Sequence, residues 1–137
     1  MKICICSSFK FYPEVLKLHK ELEEKGFEVL IPIPNPFLER EEDILKNGEH
    51  LTNPEILKTY WMHLADHLKR MDKSDVIYIF SQNGYVGNGV SLEIGYAHSK
   101  NRKLISSAPI KDLPISCFID EVVKPEDFVT YLINLKQ

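Results

Sequence analysis

The chain has 137 residues, of which 44% are hydrophobic and 27% charged, and its formal net charge is −3 at neutral pH. That length suits one domain, spanning residues 1–137, able to bury roughly two thirds of its unfolded surface. Acids and bases are interspersed, with no basic stretch beyond residues 100–103 (KNRK), which argues against a nucleic-acid partner.

In chain order, residues 2–7 (KICICS) carry the apolar run of a short buried strand. The apolar part of this run is too short for a signal core, and no segment reaches the roughly 20 apolar residues of a membrane span, so the expected compartment is the cytoplasm. Residues 12–26 predict a helix with Val15, Leu16, Leu18 and Leu22 on one face and Gly26 as its stop. Residues 27–34 (FEVLIPIP) predict a second strand. The polar, proline-bearing stretch that follows to Pro54 is too long for an ordinary connection, and such loops are usually functional or mobile. From Pro54 to Asp72 apolar residues recur at helical spacing, with the proline near the start. Residues 75–80 (DVIYIF) predict a third strand buried on both faces, and a glycine-punctuated turn leads into another helix. A fourth strand at 103–107, a proline-punctuated link, a short strand at 121–123 and a helix at 125–136 complete the chain. Strands alternating with helices imply a parallel sheet with right-handed crossovers.

In such sheets ligands bind outside the carboxyl ends of the strands, where strand order reverses. Two segments should meet there: residues 6–11 after strand one and 81–93 after strand three. Gly84, Gly87 and Gly89 match neither a dinucleotide fingerprint nor a P-loop. They do permit close approach of backbone to a ligand, followed by a helix whose free N–H groups face the site. Ser7, Ser8, Phe9, Asn83, Tyr85, Gly87, Asn88, Gly89 and Ser91 are therefore candidate substrate-binding residues. Ser7, Ser8 and Lys10 have the makings of an anion site, although serine pairs are also ordinary in turns.

Glu93 admits two readings. An acid in the first helical turn gains roughly 0.3–1 kcal/mol from the helix dipole and needs no other purpose. Alternatively, the dipole keeps the carboxylate ionised beside a substrate, where it can attack an anomeric carbon and form a covalent glycosyl-enzyme. His63 and His67 stand one turn apart as metal ligands would, but no third ligand is evident and no metal is expected. Cys4 and Cys6 point to the same side of a strand, which is ordinary core packing. With Cys117 they form an odd set suited to reduced, buried thiols. Trp61 at helical spacing reads as core, while Phe9, Phe11 and Tyr85 are the aromatic residues placed to stack on a base. Asp75 opens a strand, where it either caps loop N–H groups or contacts substrate, and Gly95 reads as a close-packing position against the sheet.

Residues 75–80 and the stretch GYVGNGVSLEIGYAHSKNRKLI at 84–105 resemble the central signature of the nucleoside 2-deoxyribosyltransferase-like superfamily, which includes deoxynucleoside 5′-monophosphate N-glycosidases. The likeness reaches back through NPEILKTYW and more loosely to the loop after strand one. It implies a flavodoxin-like, doubly wound parallel sheet of about five strands with helices on both faces. It also implies cleavage of the N-glycosidic bond of a 2′-deoxyribonucleoside or its 5′-monophosphate, the sugar passing to another base or to water. The resemblance places the nucleophile at Glu93 and implies no cofactor. A small-molecule nucleoside or nucleotide is the expected partner, and a neighbouring subunit of a homo-oligomer is expected to help close the site. Two departures stand out. Gly87 occupies the position where transferase members carry Asp and hydrolase members Ser, and a family Asp of the preceding helix falls at His67, with Asp66 beside it. Either of those two residues is then a candidate to position the sugar or Glu93. A non-catalytic nucleotide-binding or sensing module of the same fold is the alternative reading.

Overall fold

A computed structural model describes residues 1–136. The elements in order are β1 (Lys2–Ser7), α1 (Tyr12–Glu24), β2 (Glu28–Leu30), α2 (Glu41–Asn47), α3 (Glu49–Thr52), α4 (Pro54–Lys73) and β3 (Val76–Phe80). They continue with α5 (Asn88–Ser99), β4 (Leu104–Ser106), α6 (Leu113–Ser116), β5 (Glu121–Val122) and α7 (Pro125–Lys136). Single 3-10 turns lie at Phe9–Phe11 and Leu38–Arg40.

The five strands form one parallel sheet in the order β2-β1-β3-β4-β5. This is the flavodoxin-like doubly wound order, and its reversal falls between β1 and β3. Strand alternation divides the core into two layers. Ile3, Ile5, Val76, Tyr78 and Phe80 pack against Val15, Leu18 and Leu22 of α1 and Phe128 and Leu132 of α7. Cys4, Cys6, Ile77 and Ile79 face the other way, against Met71 of α4 and Val90, Ile94 and Ala97 of α5. Arg102, just after α5, donates to the carbonyl oxygens of Met71 and Ser74 at the end of α4. It thereby satisfies carbonyls that the helix end leaves open and ties the two helices together.

Several boundaries differ from those predicted. β2 ends at Leu30, because Pro32 and Pro34 have no N–H to continue a ladder, and the Ile31 carbonyl accepts from Arg70 of α4 at 2.7 Å instead. The long connection before Pro54 is partly helical: α2 carries Glu41, Glu42 and Asp43 in its first turn and ends on Gly48 at φ 68°. α6 lies inside the proline-punctuated link, its N-cap being Asp112, whose side chain accepts from the Ile115 N–H at 3.1 Å. Trp61, read as core, is exposed, and so is Cys117. A Cβ at Gly95 would meet nothing within 4 Å, so close packing does not require that glycine. Among the described residues no helix is long and apolar enough to cross a membrane.

Candidate active site

The carboxyl ends of β1 and β3 are built as a pair of loops. β1 ends at Ser7, and Ser8 caps the following 3-10 turn, its Oγ accepting from the Lys10 N–H at 3.2 Å. After β3, Ser81 and Ser107 brace each other: the Ser81 N–H donates to Ser107 Oγ at 2.7 Å and Ser107 Oγ donates to the Ser81 carbonyl at 2.8 Å. The chain then turns through Asn83 at φ 56° and Gly84 at φ 78°. Gly84 is confined by its neighbours as well as by its dihedral, since a Cβ there would lie 2.6 Å from the Pro109 carbonyl oxygen. This turn delivers Tyr85 and Gly87 to the site, and Gly87 is the N-cap of α5, which has no side-chain cap. A Cβ at Gly87 would lie 3.9 Å from Ser8 Oγ, so the two loops face each other across one opening.

Between them lies a cavity of about 530 Å³. Ser7, Ser8, Phe9 and Lys10 form one wall, and Tyr85, Gly87, Asn88 and Gly89 another. Pro32, Ile33, Asn35, Leu38 and Glu41 contribute a third wall from the segment between β2 and α4. Tyr60, His63, Leu64 and His67 project from α4, and Val90 and Glu93 from α5. Lys10 Nζ sits 4.5 Å from the centre of the Tyr85 ring, which places a positive charge at the rim between the two loops.

Glu93 and His67 form a largely buried ion pair in the cavity. Their side chains are 12% and 8% exposed, and His67 Nε2 lies 3.7 Å from Glu93 Oε1. α5 begins at Asn88 and has no acid in its first turn, so Glu93 belongs to the second turn, beyond the reach of most of the dipole effect expected from the sequence. Burial pushes the Glu93 carboxyl up to about 6, and the nearby His67 pulls it partly back. The carboxylate is therefore held against desolvation rather than kept acidic. Burial disfavours charge on His67, but the Cys4 thiol and the Glu93 carboxylate outweigh it and raise the imidazole. Beneath them lie Cys4 and Cys6, both fully buried. Their sulfur atoms are 3.9 and 3.4 Å from His67 Nε2. The contact between the two thiols pushes Cys4 down and Cys6 up.

Of the residues singled out by sequence, the cavity brings together Ser7, Ser8, Phe9, Tyr85, Gly87, Asn88, Gly89, His67 and Glu93. Five others lie elsewhere. Asp75 is at the amino edge of the sheet, where its Oδ2 accepts from the Lys2 N–H and its own N–H donates to the Lys2 carbonyl, both at 2.7 Å. That is the end of the strands opposite the site. Asp66 turns to solvent and pairs with Arg70 at 3.2 Å. Asn83 is exposed in the left-handed turn, and Ser91 Oγ donates back to the Gly87 carbonyl at 2.9 Å. Phe11 packs in the core against Phe80 and Tyr85. Sequence reasoning missed Asn35 and Glu41, which reach the cavity from a segment with no strong periodicity, and Tyr60, which reaches it from the first half of α4.

Comparison with known proteins bears on the fold. No family model matches the sequence, and no curated protein does either. A solved 2-deoxyribosyltransferase from the psychrotolerant bacterium Bacillus psychrosaccharolyticus, described as a biocatalyst for nucleoside synthesis, is similar at TM-score 0.65 and 16% identity, over 93% of this chain and 90% of that one. A conserved protein from Enterococcus faecalis V583 is similar at TM-score 0.56 and 11% identity, over 100% of this chain and 99% of that one. At these identities the shared property is the flavodoxin-like α/β fold, held in common with an enzyme that transfers deoxyribosyl groups.

Proposed function

We propose that this chain is an enzyme that cleaves the N-glycosidic bond of a 2′-deoxyribonucleoside or its 5′-monophosphate and passes the sugar to another base or to water. The observation that carries the reading is Glu93: a buried carboxylate facing the cavity at the switch point, paired with His67. In the first step Glu93 Oε attacks the anomeric carbon, the C–N bond breaks, and the base leaves with its electron pair and takes a proton from water or a side chain. In the second, an acceptor base or water displaces the carboxylate and regenerates it. His67 is a positioning residue that holds the Glu93 oxygen in place. The scheme requires no cofactor. The test is to incubate the protein with a panel of nucleosides and 5′-monophosphates, with and without an acceptor base, and to separate the products by chromatography. Free base or an exchanged nucleoside supports the reading. Tight binding without any product supports the alternative of a nucleotide-binding or sensing module, which Gly87 and the outward-facing Asp66 favour because neither supplies an acid to the site.

The walls favour the monophosphate. The open N–H groups at the start of α5 face Ser8 and Lys10 across the opening, a combination suited to an anion. The expected result is a higher kcat/KM for a deoxynucleoside 5′-monophosphate than for the free nucleoside. Lys10 is exposed, so Lys10→Ala should raise KM about two- to fivefold, with little change in kcat and less effect at high salt. Equal use of the free nucleoside, unaffected by the substitution, contradicts a phosphate at this rim.

A homo-oligomer in the cytoplasm belongs to the same proposal. Leu57 and Trp61 lie one turn apart on α4 with relative exposures of 56% and 68%, an apolar strip suited to a second copy. Light scattering at micromolar concentration should give at least a dimer; a fully active monomer contradicts it.

A further inference from the structure

Cys4 and Cys6 have no part in the glycosidic scheme, yet they do not sit among apolar neighbours alone. Strand alternation turns both thiols to the α4–α5 face, and α4 lays His67 over them. Cys4 Sγ, Cys6 Sγ and His67 Nε2 all lie within 4.8 Å of one another. Glu93 Oε1 lies 3.7 Å from the same nitrogen, next to this three-donor cluster rather than within it, and closes on an ion held there. Among the described residues His67 Nδ1 has no partner, so the polar contacts of the ring seen there run through Nε2.

We propose that Cys4, Cys6 and His67 form a binding site for a thiophilic divalent cation, zinc, with the Glu93 carboxylate as the fourth ligand. Bond lengths of about 2.3 Å to sulfur and 2.0–2.1 Å to nitrogen or oxygen require tetrahedral edges of roughly 3.3–3.8 Å. The three distances from His67 Nε2, at 3.4 Å to Cys6, 3.7 Å to Glu93 and 3.9 Å to Cys4, lie close to those edges. Two thiolates and an imidazole select zinc over magnesium or calcium, which take oxygen ligands. The ion enters from the cavity, which both His67 and Glu93 line, and reaches the sulfur atoms beneath. On binding, two metal–sulfur bonds and one metal–nitrogen bond form to two thiolates and a neutral imidazole, and the protons that the Cys4–Cys6–His67 cluster held leave to solvent. The site stands on its own geometry and does not depend on the glycosidic reading. Where that reading holds, the ion and the sugar compete for the same carboxylate, and zinc acts as an inhibitor.

Cobalt(II) titrated into chelator-treated protein tests the site directly. The expected spectrum shows near-ultraviolet thiolate-to-cobalt charge transfer and the visible bands of a tetrahedral ion, saturating at one ion per chain and bleached by zinc. Cys4→Ser and Cys6→Ser should each weaken the charge transfer and lower affinity at least about tenfold, whereas Cys117→Ser, at an exposed thiol, should change neither. Glu93→Gln should keep the charge transfer and lower affinity about tenfold. Absence of charge transfer in the wild type at saturating cobalt overturns the proposal whether or not the variants fold. A spectrum that survives in a Cys4→Ser, Cys6→Ser double variant overturns it too, and unchanged affinity in Glu93→Gln removes the carboxylate from the shell. Because the spectrum is read without substrate, a protein that binds cobalt as described but cleaves no nucleoside refutes the proposed function and leaves the site standing.

Discussion

Glu93→Gln is expected to abolish glycosidic cleavage, lowering kcat by at least about 10⁴-fold, while the protein stays folded. The amide keeps the size and the hydrogen-bonding capacity of the side chain but has no carboxylate to attack the anomeric carbon. The expected effect on stability runs opposite to that of an ordinary helix-end acid. Because Glu93 lies in the second turn of α5 and is raised by burial from 4.5 to about 6, its ionised form is disfavoured in the folded protein. The folded chain therefore keeps a proton between those values that the unfolded chain has lost, so this group's contribution to stability falls as pH rises through that window. Above it, the strain amounts to about 2 kcal/mol, and removing the charge should leave Tm unchanged or raise it at neutral pH. Cleavage by the metal-free wild type should rise with pH through about 6 as the nucleophile ionises. A folded Glu93→Gln protein with near-normal turnover contradicts the assignment. A fall in Tm of many degrees in that variant makes Glu93 a structural residue instead.

Phe128→Ala is expected to cost about 3–5 kcal/mol of stability and to lower Tm by roughly 10–15 °C without altering the chemistry of the remaining folded molecules. Phe128 is fully buried and stacks on Tyr78 with ring centres 3.7 Å apart and planes 10° from parallel. Tyr78 in turn donates its hydroxyl to the Val123 carbonyl at 2.7 Å, which fixes the short edge strand β5 to the centre of the sheet. Truncating the phenylalanine removes the α7 anchor and exposes that contact. The affected layer, formed by α1 and α7, lies on the face of the sheet opposite His67 and Glu93. Thermal unfolding followed by circular dichroism, with turnover measured well below the transition, separates the two effects. A shift of less than about 3 °C contradicts the packing described, and a loss of turnover equal to that of Glu93→Gln contradicts the independence of the two faces.

The strands were legible because parallel strands buried on both faces read as continuous apolar runs, as at residues 76–80. β2 read too long because hydropathy cannot see a missing N–H, although Pro32 and Pro34 were available to shorten it. α2 and α6 were missed because a helix of one or two turns shows little periodicity; their signals were the acids before Gly48 and the Asp112 cap. At the site, the glycine spacing located Gly87, Asn88 and Glu93, since a turn that approaches a ligand has few alternatives. The choice between Asp66 and His67 was decided by helical phase. His67 stands one turn before Met71 and shares its buried face, whereas Asp66, rotated about 100° away, meets solvent and Arg70. The strand period placed Cys4 and Cys6 on one side, but nothing local in the sequence foretold that α4 would set an imidazole over them. Asp75 was misplaced by position alone: a strand-opening acid sits at the amino edge, and the site lies at the other.

The most direct measurement is mass spectrometry of the protein quenched during turnover of a 2′-deoxyribonucleoside or its 5′-monophosphate with no acceptor base. The expected result is an added deoxyribosyl group, with its phosphate for the monophosphate, that maps on peptide digestion to Glu93 and is lost when an acceptor base is supplied before the quench. Release of base with no adduct on Glu93, or with the adduct on another side chain, contradicts the covalent mechanism.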